Sequence, residues 1–315
     1  MTLENLYKKN TSKLWNSYNY VKKYNNFKYT NKDGNTYYLT GRRDTVLKYL
    51  NSLKLGNKIN ILELGYGAGQ NASYFIKKCK RYYGIDISLP LAKFARNNNK
   101  KSVKNGKAKF LVGSMEKKFS IKSESIDVVI IVGALQYILN INYCLTECQR
   151  ILRKNGYLII AQSNTFSINE MIKPRTFLIN FSKFLMKEYY HYSHSDTFKS
   201  LLLETKLRKY FKKYKNLWWM NSWVFKSGWN DIWKFKTKRR LLSHDRLKNI
   251  IKKNKFSIID SCGYPFFYNN KNLITKIIFP IIDKCLIVLN KIFIFSFFLK
   301  YLGASNIFLC QKKFE

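Results

Sequence analysis

Residues 61–71 read Ile-Leu-Glu-Leu-Gly-Tyr-Gly-Ala-Gly-Gln-Asn: an apolar run, a turn carrying glycine at 65, 67 and 69, and the start of a helical pattern. Glycine lets a backbone turn sharply and approach a ligand with no Cβ in the way. Asp86 ends the next apolar run, 21 residues beyond Gly65. A carboxylate there can accept both hydrogen bonds of a ribose diol lying over the glycine turn. The competing reading of the glycines is a plain tight turn. A dinucleotide fingerprint, Gly-x-Gly-x-x-Gly, sets a pyrophosphate on a helix N-terminus; here the spacing is Gly-x-Gly-x-Gly, and Gln70 stands where the third glycine of that fingerprint would be.

The elements around this motif alternate between two periodicities. A short helix is expected at 44–53, with Val46, Leu47, Leu50 and Leu53 on one face. Strands are expected at 60–64, 82–87, 109–112, 127–132 and 156–162, with helices at 71–80, 89–97 and 143–152 between them. Strands alternating with helices imply βαβ units and a parallel sheet covered on both faces. After Gln162 the rhythm breaks, and 165–240 shows no obvious strand. It returns with a helix at 243–253 and strands at 256–261 and 306–311.

On these motifs in this order, the stretch 43–164 resembles the class I S-adenosylmethionine-dependent methyltransferases, particularly those acting on small molecules, lipid-like quinone precursors and glycans. The resemblance implies an α/β, Rossmann-like, seven-stranded and mostly parallel sheet whose last strand is antiparallel, with a helical cap. It implies S-adenosylmethionine as cofactor. Glu63, Gly65, Gly67 and Gly69 would contact its methionine part, Asp86 its ribose and Ile87 its adenine. Ser114 and Met115, in Phe110-Leu111-Val112-Gly113-Ser114-Met115-Glu116, would reach the adenine edge; the family commonly has Asp at the position of Ser114. The stretches 125–138 and 145–158 resemble the family's fourth-strand motif and its following helix and strand.

The expected organisation is an N-terminal segment (1–42), the cofactor-binding core (43–164), a basic, Trp-rich cap insertion (165–242), and a C-terminal part of the core (243–315) carrying an apolar helical insertion at about 265–305. A methyl acceptor that loses a proton on attack needs a base. His191 and His194, inside the cap, are the candidates; an ordinary surface or core histidine is the alternative for each.

Lys plus Arg number 58 and Asp plus Glu 18, a formal charge of +40 over 315 residues. That balance points to nucleic acid or an anionic membrane, yet residues 1–160 carry 29 basic and 9 acidic residues and the remainder the same. A charge spread evenly over a surface also describes simple solvation. Twelve basic residues and one acid, Asp231, fill 206–240, interleaved with Trp218, Trp219, Trp223, Trp229 and Trp233. Three readings stand: stacked RNA bases, a membrane interface, or the cap's own small core. The apolar stretch 273–302 has charged breaks too frequent for a bilayer span and suits a cover over a greasy acceptor or an interfacial helix pair.

The function expected is therefore methyl transfer to a small or lipid-linked acceptor, at oxygen, by a cytoplasmic protein that associates with membrane. The alternatives are an RNA methyltransferase and a non-catalytic S-adenosylmethionine-binding module. The Asn/Asp-Pro-Pro-aromatic motif and the Pro-Cys nucleophile of nucleic-acid base methylation are absent from this sequence. The six cysteines form no Cys-x-x-Cys pair, so no metal site is expected. Met1 to Asn10 has no apolar core of a secretory signal.

Overall fold

The computed structural model describes residues 3–18, 21–22, 34–164, 188–192, 238–264 and 301–313, with a few single positions between the last two stretches. Its centre is a seven-stranded sheet in the order β3-β2-β1-β4-β5-β9-β8. The strands are β1 (Asn60–Leu64), β2 (Arg81–Asp86), β3 (Ala108–Val112), β4 (Ile126–Val132), β5 (Leu152–Ser163), β8 (Phe256–Gly263) and β9 (Ser305–Lys312). The first five are mutually parallel. Strand β9 lies antiparallel to both β5 and β8, so it alone runs against the rest.

The central strands are apolar on both faces because helices cover both. Leu62, Leu64, Val129, Ile131, Leu158 and Ile160 belong to one core layer. Ile61, Val128, Ile130, Ile159 and Ile307 belong to the other. The first layer is closed by α6 (Ile141–Ile151) and α7 (His244–Lys253). Helix α6 buries Ile141, Cys144, Leu145, Cys148 and Ile151, the stripe that a 3.6-residue period produces. Cys144 and Cys148 thus act as small hydrophobes, as their spacing implies. The second layer is closed by α2 (Gly34–Ser52), α3 (Ala72–Ile76) and α4 (Leu89–Asn98).

Helix α4 begins where it does for local reasons. Ser88 caps it, its hydroxyl accepting from the Leu91 N–H at 3.1 Å, and Pro90 occupies the first turn, where no donor is needed. A short helix, α5 (Lys100–Lys104), leads into β3, and a 3-10 turn spans Leu135–Tyr137 after β4.

Five elements differ from expectation. The helix before β1 starts at Gly34 instead of residue 44, and the one after it is confined to Ala72–Ile76. Residues Leu3–Asn16 form a helix, α1, where the polar composition of the first forty residues gave no expectation of one. The region 165–240, expected to lack strands, contributes β6 (Glu188–Tyr192) and β7 (Lys238–Leu242), an antiparallel ribbon. Its strands are five residues each, far apart in sequence and without alternating Val or Ile, so periodicity cannot reveal them. The described residues of the 165–242 insertion therefore form a ribbon, while the described positions at 281–282, 285–286, 288 and 299, in the apolar insertion, are helical. The tryptophans from 218 to 233 and most of 273–302 lie outside the described residues. Among the described residues, no helix is long and apolar enough to cross a membrane.

Candidate functional site

Strand order reverses between β1 and β4: the chain winds to one side through β2 and β3, then to the other. Open α/β sheets bind ligands at the carboxyl ends of strands at such a point. A cleft of about 800 Å³, its open mouth included, lies there. Gly65, Gly67, Asp86, Ile87, Ser114, Met115, Glu116, Gly133, Ala134 and Tyr137 are among its lining residues.

The glycine turn is built for close approach. Gly65, Gly67 and Gly69 all have positive φ, at 77°, 58° and 75°. A Cβ on Gly65 would fall 2.2 Å from that of Ala134, so β1 and the segment after β4 meet with no space for a side chain. Asp86, 9% exposed, accepts from the Gly67 N–H at 2.9 Å on Oδ2 and from the Ser88 N–H at 3.0 Å on Oδ1. Burial raises its pKa, opposed by these N–H bonds. A carboxylate has about four acceptor positions, so two remain for a diol. The resident groups fit S-adenosylmethionine: an acceptor pair for the ribose, a bare backbone cradle, and beside them an apolar wall.

Ile87 supplies part of that wall; although apolar it is 39% exposed, at the cleft. Met115 packs on the core beneath, and the Ser114 hydroxyl accepts from the Glu116 N–H at 3.1 Å. Glu116 is fixed in turn, its Oε1 accepting from the N–H groups of Leu139 and Asn140 at 3.1 and 3.0 Å.

Two expected cofactor contacts stand back from the cleft. Gly69 is not among its lining residues, and the Asn99 side-chain amide donates to its carbonyl at 3.2 Å. Glu63 is 1% exposed, beneath the turn, where it accepts from the Tyr82 hydroxyl at 2.6 Å. Burial pushes its carboxyl up to about 8. Period-two alternation explains this: Glu63 shares a sheet face with Ile61, among the residues of the second core layer.

Sequence reasoning missed the N-terminal wall. Thr11, Ser12 and Trp15 of α1 line the cleft. The Trp15 ring meets that of Tyr137 edge to face, centroids 5.6 Å apart, and the Ser88 hydroxyl donates to the Trp15 carbonyl. Trp15 also packs with Phe94 on a small cluster of Val21, Ala68 and Leu91. No local motif marks such a contact, which joins residues far apart in sequence. Of the candidate bases, His191 lies on β6, paired in register with Arg239, and His194 lies outside the described residues.

Residues 62–160 match the family model described as "Methyltransferase domain". An uncharacterised protein of Methanocaldococcus jannaschii, MJ1252, is 32% identical over 114 residues, which is 36% of this chain and 40% of that protein. The chain thus matches less than half the length of that curated relative. Among solved structures, a S-adenosylmethionine-dependent methyltransferase from Methanosarcina mazei superposes with a TM-score of 0.50 at 13% identity, covering 86% of this chain and 98% of its own. The complex of the Haloferax volcanii Trm112 methyltransferase activator with a methyltransferase gives 0.50 at 12% identity, covering 86% and 89%. At such identities these two likenesses concern the fold alone. Residues 62–160, which hold the glycine turn, Asp86 and the strands on both sides of the switch point, are thus similar to a methyltransferase domain, and the sheet they belong to has the class I methyltransferase fold.

Proposed function

We propose that the protein transfers a methyl group from S-adenosylmethionine to the oxygen of a small or lipid-linked acceptor. The observation that carries the first half is the pairing of Asp86 with the glycine turn at the mouth of one cleft. Bound S-adenosylmethionine supplies an already activated methyl group. What the chain's own residues add is alignment, which can be worth about 7–11 kcal/mol of barrier. Asp86 orients the ribose, the glycine turn lets the methionine chain lie against bare backbone, and α1 with Trp15 excludes water from one side. An oxygen acceptor also gives up a proton, and His191 and His194 remain the proposed bases. Glu63, Gly65, Gly67, Gly69, Asp86, Ile87, Ser114 and Met115 are the proposed cofactor residues, Glu63 and Gly69 acting from behind the cleft wall.

The lipid-linked half of the proposal rests on the apolar stretch 273–302 and on the basic, Trp-rich stretch 206–240. Together these suit a peripheral contact with an anionic membrane. The same basic stretch favours a second reading, RNA methylation, because aromatics can stack bases while lysines track phosphates. A binding module without turnover is the third; the intact glycine turn and Asp86 argue for a working cofactor site.

Calorimetry with S-adenosylhomocysteine tests the cofactor site. Asp86→Ala should weaken binding by roughly 1.5–3 kcal/mol, the scale of a charge-assisted hydrogen bond; no heat from folded wild type would end the assignment. Labelled donor incubated with cell extract, with product sorted into lipid, RNA and soluble fractions, then decides the acceptor. Label confined to RNA would overturn the lipid reading. Against vesicles, binding that collapses fully at high salt would do the same, since apolar insertion outlasts screening.

A further inference from the structure

The insertion between β8 and β9 presents an apolar face to solvent. Its described positions 281–282, 285–286 and 288 are helical. Ile281 is 56% exposed, Val288 60% and Ile282 37%, and Cys285 is exposed beside them. At 3.6 residues per turn, positions 281, 285 and 288 fall within about 60° of one another, a single stripe that Ile282 borders. Leu286 lies on the other side, packed on a small cluster of Phe266 and Leu299 together with Leu302. A helix apolar on opposite sides is normally covered on both.

Topology sets where this face stands. Strand β9 begins at Ser305, paired with Ser163 at the carboxyl end of β5, and β8 ends at Gly263, paired with Asn306. The insertion thus leaves and re-enters the sheet at the end that holds the cleft. The Asn164 side-chain amide ties its return, donating to the carbonyls of Tyr301 and Gly303 at 2.9 and 3.0 Å. Charge selects the occupant. The stretch 273–302 carries Lys276, Lys284, Lys291 and Lys300 against Asp283, in a chain of formal charge +40. A second copy would bring two such charges together. Nucleic acid would meet the lysines but leave aliphatic side chains with no ring to stack on its bases. An anionic bilayer satisfies both, lipid headgroups facing the lysines and acyl chains the isoleucines. We propose, building on the membrane contact of the proposed function, that Ile281, Ile282, Cys285 and Val288 enter the headgroup region of an anionic bilayer and hold the cleft on the membrane side. A lipid-linked acceptor then reaches the cleft without being drawn fully into water.

Cys285 supplies the probe, because the other five cysteines are buried or partly so. Alkylation of its thiol by a charged, membrane-impermeant reagent is timed with vesicles of phosphatidylcholine alone and of phosphatidylcholine with phosphatidylglycerol. Co-sedimentation is measured beside it at low and high salt. Wild type should sediment with the anionic vesicles, keep part of that binding at high salt, and show a protected Cys285. Ile281→Ser combined with Val288→Ser should lower vesicle partitioning roughly tenfold to a hundredfold. It should re-expose Cys285 while the melting temperature and the affinity for S-adenosylhomocysteine hold. Ile259→Ser removes an isoleucine of similar exposure on β8, away from this face, and should change nothing. Wild type that sediments with Cys285 fully reactive overturns the proposal and leaves the membrane contact to 206–240; so does a double variant that sediments as well as wild type. Wild type that ignores anionic vesicles ends both readings. Self-association in vesicle-free buffer, abolished in the double variant, would assign the face to a second copy and also overturn the proposal. Failure to bind S-adenosylhomocysteine counts against the cofactor reading alone, and the vesicle measurements still decide this face.

Discussion

Replacing Glu63 with Gln should make the protein more stable, and increasingly so as the pH rises. The carboxyl is buried between sheet and helices, and burial raises it from an ordinary 4.5 to about 8. An unfolded chain releases this proton near pH 4.5; the native protein keeps it until about pH 8. Between those values the native state binds more protons, so stability falls as pH rises, by about 1.4 kcal/mol per unit. The loss reaches about 3 kcal/mol at pH 7 and about 5 kcal/mol above pH 8. Glutamine does not titrate, and its carbonyl still accepts from the Tyr82 hydroxyl. Wild type and variant should therefore have similar urea midpoints near pH 5 and diverge steadily towards pH 8, with the variant ahead. A difference independent of pH, or a wild type that gains on the variant with rising pH, would refute the reasoning. It would mean that Glu63 is ionised in the native state and stabilised there.

Gly65→Ala adds a Cβ 2.2 Å from that of Ala134 at a positive φ, so it should cost about 2–4 kcal/mol by urea denaturation, partly recovered by adding Ala134→Gly. Trp15→Ala removes the ring contact with Tyr137 and the packing on Phe94, and hydrogen exchange should show α1 opening while the strands stay protected. Arg153→Ala breaks an exposed ion pair with Asp127 and should cost under about 1 kcal/mol by chemical denaturation. Glu147→Ala removes an acceptor shared by Arg150 and the Phe119 N–H, and in the same assay should cost about 1.5–3 kcal/mol.

The residues best read from sequence are those whose function is local. Residues 60–64 form the expected strand because an apolar run stops at glycines. Asp86 falls at a strand end because the apolar run before it stops there. The order of motifs led to the seven-stranded sheet and its reversed strand. What stayed hidden depends on chain segments meeting from a distance. Nothing near Arg42 reveals that Ser163 and Ser305 will flank it, and nothing near Trp15 marks it as a cleft wall. The role of Glu63 turns on which sheet face it occupies: the resemblance points to the cofactor, whereas the strand's alternation turns it towards Tyr82. The ribbon β6–β7 pairs two five-residue strands on either side of a long insertion, beyond what periodicity detects.

The place of β9 has a consequence for how the chain comes off the ribosome. Although β8 precedes β9 in sequence, β9 lies between β8 and β5. Strand β8 therefore has no partner to dock on until residues 305–312 have been made. Until then β5, whose Leu158, Ile159 and Ile160 are fully buried in the finished fold, presents a bare and apolar edge while the whole cap is synthesised. Such an edge invites pairing with another nascent chain. Vectorial synthesis thus leaves the nascent sheet sticky for longest on the side where the cap leaves it, and a polysome crowded with this message is where misassembly would begin.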